Sequence, residues 1–555
     1  MGEDATRSSG SVDLTGRHRG LGRRAAVVSL FTLLSRILGF VREMVSAALF
    51  GDRSPVYDAF ITAWRVPNLF RRFLGEGALS TSFQTSMTEL EGDRGEAAGR
   101  ALFRRTFILV GVLTALLTLG VMLLVSWIPD RMPLTGWAWL GEDPAPVRDL
   151  VTRLMPFVVL VCLTALSTGA LHVRGIFGPP AFAPVALNVL WIATLVAVAQ
   201  RYGWVGDGVE ASYARHLDMV HLLAHGVLLA GLVQFLVQVP ALRRTGLVGR
   251  ATFAATPDEG GLGSREGALA VLRRSAPLAF GAAVYQINVM LDGFMAEAML
   301  PNGGPTLHYL ANRVQQFPLA LIAVAATSAV FPALQAYGHK GDRAAVRKLH
   351  DRTHRSIAFV ALPATVGLFV LAGPVTSVAF EHGAFGADGV ERTARALRML
   401  TLAILPAGAT GLVARTYYSL GDFRTPVRVS SLMLCINVLL NYVAIRVFDL
   451  DVDGLALATT ITSWASLGAL WPGLRGRLGL PAGEGGHLSS LGRTAVAALL
   501  CGAAAWGVER WLSGVFGATA SVGLAIVIGV VTFAVSARAF GVPEAETIAK
   551  RLRRR

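Results

Sequence analysis

Apolar runs of roughly twenty residues recur along this chain almost from end to end, each long enough to cross a bilayer as a helix. Hydrocarbon offers no water to a peptide group, so such runs must satisfy their own N–H and C=O groups, and the α-helix does this within one segment. About fourteen runs can be marked out by hydropathy. Composition agrees: 53% of the 555 residues are hydrophobic and 16% charged, with mean hydropathy +0.53, against about 25% charged in soluble domains. The expected fold is all-α, a polytopic membrane protein of about fourteen transmembrane helices.

The net charge of +15 is distributed by topology and is no nucleic-acid footprint. Arg17, Arg19, Arg23 and Arg24 precede the first run, and Arg243, Arg244 and Arg250 follow the sixth. "HKGDRAAVRKLHDRTHR" joins the eighth and ninth, Arg475, Arg477 and Arg493 lie between the twelfth and thirteenth, and "KRLRRR" ends the sequence. The alternate connections are acidic or poor in cations, as in "DLDVD" and "PNGGP". The positive-inside rule then places both termini in the cytoplasm. Residues 1–25 read as a polar cytoplasmic tail and 541–555 as a basic one. Cys162, Cys435 and Cys501 lie inside apolar runs without metal-ligand spacing, and are expected as buried packing thiols.

Two stretches align without gaps. "AWRVPNLFRRFLGEGALSTSF" matches "ANRVQQFPLALIAVAATSAVF" at Ala63/Ala311, Arg65/Arg313, Val66/Val314, Ser80/Ser328 and Phe83/Phe331. The second and eighth spans are thus equivalent, and an offset of six spans preserves orientation. That predicts two parallel, pseudo-symmetric lobes, 26–245 and 268–472, joined by a Gly-rich linker at 246–267. Two further helices, within 488–540, fall outside the repeat. Paired lobes with a site between them are the general plan of alternating-access carriers.

The charges inside the runs are the candidate site. Arg36 and Arg42 lie deep in the first span, roughly 120° apart on a helix. Each costs about 2.5–3.5 kcal/mol at a span centre, which requires a wet cavity, a counter-ion or an anionic ligand. The second span adds Asp58, Arg65, Asn68, Arg71, Arg72 and Glu76; Arg65, Asn68 and Arg72 share a face, and Glu76 is spaced to pair with Arg72. Arg313 stands alone in the other lobe. Guanidinium groups suit bidentate binding of phosphate or carboxylate oxygens, and they outnumber Glu43, Asp58 and Glu76. Internal ion pairing is the competing reading, above all for Arg72 with Glu76.

A second cluster differs in kind. Asp292 lies inside the seventh span, Asn437 and Asn441 share a face of the eleventh, and Thr459 and Thr460 open the twelfth. One carboxylate with neutral oxygens suits Na⁺ or a proton relay; inter-helix hydrogen bonding is the alternative. No phosphate-binding G-x-x-x-x-G-K-[ST] loop, H-E-x-x-H or nucleophile–base motif is present. Transport is expected, not catalysis.

"LLSRILGFVRE", "DAFITAWRVPNLFRRFLGEGALSTSF", "PPAFAPVALNV" and "YYSLGDFRTPVR", in this order, resemble the MurJ/MviN family of lipid II flippases. The resemblance implies a fourteen-helix exporter of the MOP superfamily whose central cavity takes the pyrophosphate and sugars of lipid II. It implies that Arg36, Arg42, Arg71 and Arg313 are the cavity arginines and Glu43, Asp58 and Glu76 the accompanying acids, with Asn68 in the same motif. It also implies a lipid-tail groove at the last two helices. The partners implied are lipid II, membrane lipids and the cell-wall synthesis machinery. A Na⁺ site at Asp292, Asn437, Asn441 and Thr459 or Thr460 is implied too, although Asn441 stands where the family usually has an acid, which leaves coupling by membrane potential alone open. Asn312 likewise replaces an expected acid. Alternatives are a flippase for another polyprenyl-linked glycan, a cation or drug exporter on the same scaffold, for which arginines are the wrong sign, and a non-transporting scaffold.

Overall fold

The computed structural model describes residues 14–71, 78–127, 145–204, 213–249, 265–327, 330–479 and 485–552. No strand occurs among the described residues. The first lobe contains α1 (Leu14–Phe50), α2 (Pro55–Phe70), α3 (Ala78–Arg94), α4 (Glu96–Ser126), α5 (Ala145–Leu154), α6 (Phe157–Val173), α7 (Gly178–Tyr202), α8 (Tyr213–Leu236) and α9 (Val239–Arg244). The second contains α10 (Arg265–Met299), α11 (Gly304–Thr327), α12 (Phe331–His339), α13 (Arg343–Val370), α14 (Ala372–Phe380), α15 (Ala387–Thr401), α16 (Ile404–Ser419), α17 (Arg424–Arg446) and α18 (Val452–Leu478). Then come α19 (Gly485–Leu512) and α20 (Ala518–Ala539), a pair packed on α13, and the short α21 (Pro543–Leu552).

Local chemistry sets the breaks. Ser54 accepts the N–H of Tyr57 at 3.3 Å and Pro55 opens α2, a capped start with proline in the first turn. Asp342 caps α13 through the N–H of Ala345 at 2.9 Å. Gly479 ends α18 in the left-handed region at φ 61°, where a side chain would be strained.

The first lobe packs around one large core including Phe60, Trp64, Phe83, Phe103, Phe157 and Trp191. The second lobe has smaller cores, one around Phe380 and Leu397 and another around Tyr417 and Leu474. Eight described helical segments are long and apolar enough to cross a membrane, or nine if α15 and α16, bent by 40°, form one span. The helices left out include α1, α2, α10, α11 and α18, which carry the polar residues of the candidate site. The count of fourteen therefore stays an expectation.

Three details depart from the sequence reading. The first helix begins at Leu14, inside the expected tail, because no proline separates that polar lead from the apolar run. α18 continues to Leu478, past the expected lobe boundary, until Gly479 stops it. Cys435 is not a buried thiol: it is exposed on α17, where bilayer rather than protein meets an apolar face, while Cys162 and Cys501 are buried as expected.

One end of the lobe interface is shut. The turn at Gly51 and Asp52 lies against 383–389: Ala384 N–H donates to Ala48 O at 2.9 Å and Gly386 N–H to Asp52 Oδ1 at 3.4 Å. Contact is close enough to demand glycine, since a Cβ on Gly303 would sit 1.9 Å from Asp52 O. Arg53 and Asp388 pair across the same seam at 2.9 Å.

Candidate functional site

Between the lobes lies a cavity of about 540 Å³. From α1 come Ser35, Arg36 and Arg42; from α2, Trp64, Arg65, Asn68 and Arg71; from α11, Tyr309, Asn312 and Arg313. Its remaining wall belongs to α3, α6, α7 and α8, with Val289 of α10 and Gln238 between α8 and α9. His172 near the end of α6 and Gln238 just before the start of α9 line it and the shut seam at Gly51 does not, so it extends away from the closed end.

The arginines are held differently. Arg36 is exposed in the cavity and makes no hydrogen bond or ion pair to a described residue. Arg71 donates through Nε to Asn68 Oδ1 at 3.0 Å, which presents its guanidinium at the wall. Arg313 keeps 28% of its side chain exposed, with Nε 3.8 Å from Glu43 Oε1. Arg42 is 8% exposed: it pairs with Glu43, donates to Asn188 Oδ1 at 3.3 Å and lies 4.2 Å over the ring of Trp191. A cation stacked on indole in a desolvated site gains about 2 kcal/mol.

Glu43, 2% exposed, is the hub. It takes Arg42 from its own helix, faces Arg313 from the other lobe, and accepts the hydroxyl of Tyr309 at 2.8 Å. A buried carboxylate persists when it is paired and hydrogen-bonded, and Oε1 of Glu43 takes all three of these contacts. Gly39, one turn before, lets Arg313 lie on α1: a Cβ there would be 2.9 Å from Arg313 Nη2.

Two further residues named from sequence lie elsewhere or do other work. Asp58 is buried at the shut end and does not line the cavity; it caps α11 by accepting Gly303 N–H at 2.6 Å, Thr306 N–H at 3.1 Å and the Thr306 hydroxyl at 2.6 Å. Arg65 borders the cavity, yet its head donates into the second lobe, to Val289 O at 2.8 Å and Pro305 O at 3.5 Å. Beside it, Thr62 donates to Glu297 at 2.8 Å. Arg72 and Glu76 fall outside the described residues.

The second cluster does assemble. Asp292 accepts Asn441 Nδ2 at 2.7 Å and Asn288 Nδ2 at 3.2 Å; Asn441 also donates to Asn437 Oδ1 at 3.1 Å. Asn441 Oδ1 is buried without a hydrogen-bond partner among the described residues, and the buried Thr459 hydroxyl lies beside Asp292. Thr460 turns away to Met399 O at 2.6 Å. No group of three or more His, Cys, Asp or Glu residues with metal-site geometry exists among the described residues.

Sequence reasoning passed over Asn188, Trp191 and Tyr309. Asn188 lay in the "PPAFAPVALNV" stretch, and Trp191 is three residues beyond it on the same face. Nothing local ties either to Arg42; only the packing of α7 on α1 does.

A two-lobed helical membrane bundle, shut at one end around an arginine-lined cavity, defines the class: a polytopic membrane transporter. Comparison gives the particular family. The family model described as "Lipid II flippase MurJ" matches residues 46–526, starting just beyond Glu43. The chain is 31% identical over 462 residues to "Lipid II flippase MurJ" of Burkholderia cenocepacia, covering 82% of this chain and 84% of that one. It is 31% identical over 456 residues to "Probable lipid II flippase MurJ" of Vibrio cholerae, covering 81% and 82%. A solved structure titled "Lipid II flippase MurJ, inward closed conformation" superposes with TM-score 0.69 at 19% identity, over 93% of this chain and 98% of that one. An inward-facing MATE transporter of the MOP superfamily gives 0.60 at 14% identity, over 81% and 94%, a likeness of fold alone. The chain belongs to the lipid II flippase MurJ family and is a transporter, not an enzyme.

Proposed function

We propose that this chain carries lipid II, a polyprenyl-pyrophosphate-linked glycopeptide, from the inner to the outer leaflet of the bacterial cytoplasmic membrane. The observation that carries the reading is Arg36, unpaired among the described residues, lining one cavity between two lobes with Arg71 and Arg313. An uncompensated guanidinium deep in a membrane protein is a cost unless an anion neutralises it. Arg36, Arg71 and Arg313 bind the pyrophosphate oxygens, and Arg42 with Glu43 fixes where Arg313 stands. With both termini cytoplasmic, the shut seam faces outward and the cavity inward. Opening that seam releases the headgroup while the lipid stays in the bilayer. Outward movement of a dianion follows an inside-negative potential, worth about 2.3 kcal/mol per charge per 100 mV.

Na⁺ as a coupling ion fits the second cluster. The buried Asn441 Oδ1, without a hydrogen-bond partner among the described residues, and the Thr459 hydroxyl sit with the carboxylate of Asp292, and hard cations take oxygen donors of this kind. Asp292, Asn441 and Thr459 would hold the ion, which supplies a charge that ties α10, α17 and α18 together.

The test is made in cells depleted of their own flippase. The unmutated chain restores growth and outer-leaflet lipid II, and Arg36→Ala at equal expression restores neither. An Arg36→Ala variant that works as well as the parent would overturn the cavity reading; a parent chain that fails would overturn the substrate.

A further inference from the structure

A furrow of about 430 Å³ runs between α10 and α17, and it shares no residue with the cavity between the lobes. Its floor is Met295, Ala298 and Met299, neighbours on one face of α10. Its other bank is α17, where Cys435, Leu439, Tyr442 and Arg446 follow at three- and four-residue steps. All four are exposed, so the furrow opens on the surface of the second lobe.

Its chemistry changes along its length. The lining is apolar as far as Tyr442 and ends at Arg446, which makes no hydrogen bond or ion pair to a described residue. Arg446 sits in the last turn of α17, just before Asp451, which pairs with Arg392 beside the shut seam. From Cys435 to Arg446 the helix rises about 16 Å, the depth of one leaflet in a hydrocarbon core about 30 Å thick. A phenol and a guanidinium at that level stand where headgroups begin.

A soluble anion would meet Arg446 and leave the apolar trough unfilled. A hydrocarbon without a headgroup would leave the guanidinium unmatched, whereas a phosphate takes it bidentately. An occupant with both parts matches both ends. Two methionines in the floor let it fit chains of varied shape.

We propose that this furrow binds a glycerophospholipid, one acyl chain lying along Met295, Met299 and Leu439 and the phosphate on Arg446. The site depends on neither the transport reading nor Na⁺; the topology read from the loop charges assigns it to the outer leaflet. It also backs the second cluster. Met295 Sδ accepts Asn441 Nδ2 at 3.7 Å, and Asn441 donates to Asp292, so the occupant supports that cluster from the lipid side.

The full-length protein in nanodiscs is irradiated with a trace of phosphatidylethanolamine carrying a diazirine in one acyl chain, and the labelled peptides are mapped. α4, which exposes Leu116 and Leu123 to the bilayer, is the reference for bulk lipid. The expected result is label on α10 and α17 about tenfold above that on α4. Arg446 is exposed, so Arg446→Gln leaves the core intact; it should lower the excess about tenfold, the size of one charge-assisted hydrogen bond. In micelles, unlabelled phosphatidylethanolamine should compete about tenfold better than diacylglycerol with the same chains. Label no higher than on α4, an excess that survives Arg446→Gln, or equal competition by diacylglycerol overturns the site. Stronger competition by a polyprenyl phosphate would give the furrow to the carried lipid's tail and overturn the phospholipid.

Discussion

Asp58 of the first lobe caps a helix of the second: its carboxylate accepts the N–H groups of Gly303, at 2.6 Å, and Thr306, at 3.1 Å, at the start of α11. The free N–H groups of a helix start and its positive dipole end both favour a carboxylate. Here that local device spans the lobe interface. Nearby, Arg53 pairs with Asp388 and Asp52 receives Gly386 N–H, so the closed state is latched at several points along one seam.

Asp58→Ala should loosen this latch. Losing a cap costs about 0.5–2 kcal/mol, enough to shift the closed-to-open ratio roughly two- to thirtyfold. In a background with Cys435→Ser, an Arg53→Cys/Asp388→Cys pair should cross-link readily in the parent and several-fold more slowly with Asp58→Ala. Unchanged cross-linking would mean that the cap plays no part in closure.

Gly39→Ala separates stability from transport. The new Cβ falls 2.9 Å from the tip of Arg313, a flexible group that can move aside, and alanine favours the helix by up to about 1 kcal/mol. Melting in detergent should therefore hold or rise, while lipid II transport falls several-fold because Arg313 is displaced. Full transport would show that the seat of Arg313 on α1 is not needed.

Glu43→Ala leaves Arg42 buried without its partner. Breaking such a pair from one side costs about 3–5 kcal/mol, so a lower melting temperature and poor yield are expected. Glu43→Ala combined with Arg42→Met should regain most of the stability without regaining transport. If the double variant is no more stable than the single one, the pair is not the reason for the loss.

Sodium should stabilise the parent protein and not Asp292→Asn. A ligand present at 100 times its Kd adds about 2.7 kcal/mol. Thermal melts in NaCl against choline chloride at equal ionic strength report this directly. Equal melts of the parent in the two salts would remove Na⁺ and leave the membrane potential as the driving force.

The transporter class and the cavity arginines were legible in the sequence because each rests on a local rule: span length, loop charge, or the cost of an arginine in lipid. The tie between α1 and α11 through Glu43 was not, because it depends on Arg313 and Tyr309, some 270 residues away. Asp58 read as a cavity acid from its place beside Arg65, yet sequence spacing could not reveal that it faces a helix start in the other lobe. Thr459 and Thr460 were indistinguishable until the helix phase turned Thr460 onto Met399.

The most direct measurement is the dissociation constant of lipid II from the purified chain and from Arg36→Ala. A charge-assisted contact with phosphate is worth about 1.5–3 kcal/mol. The account predicts affinity at least tenfold weaker in the variant, with an unaltered melting temperature; equal affinity would contradict it.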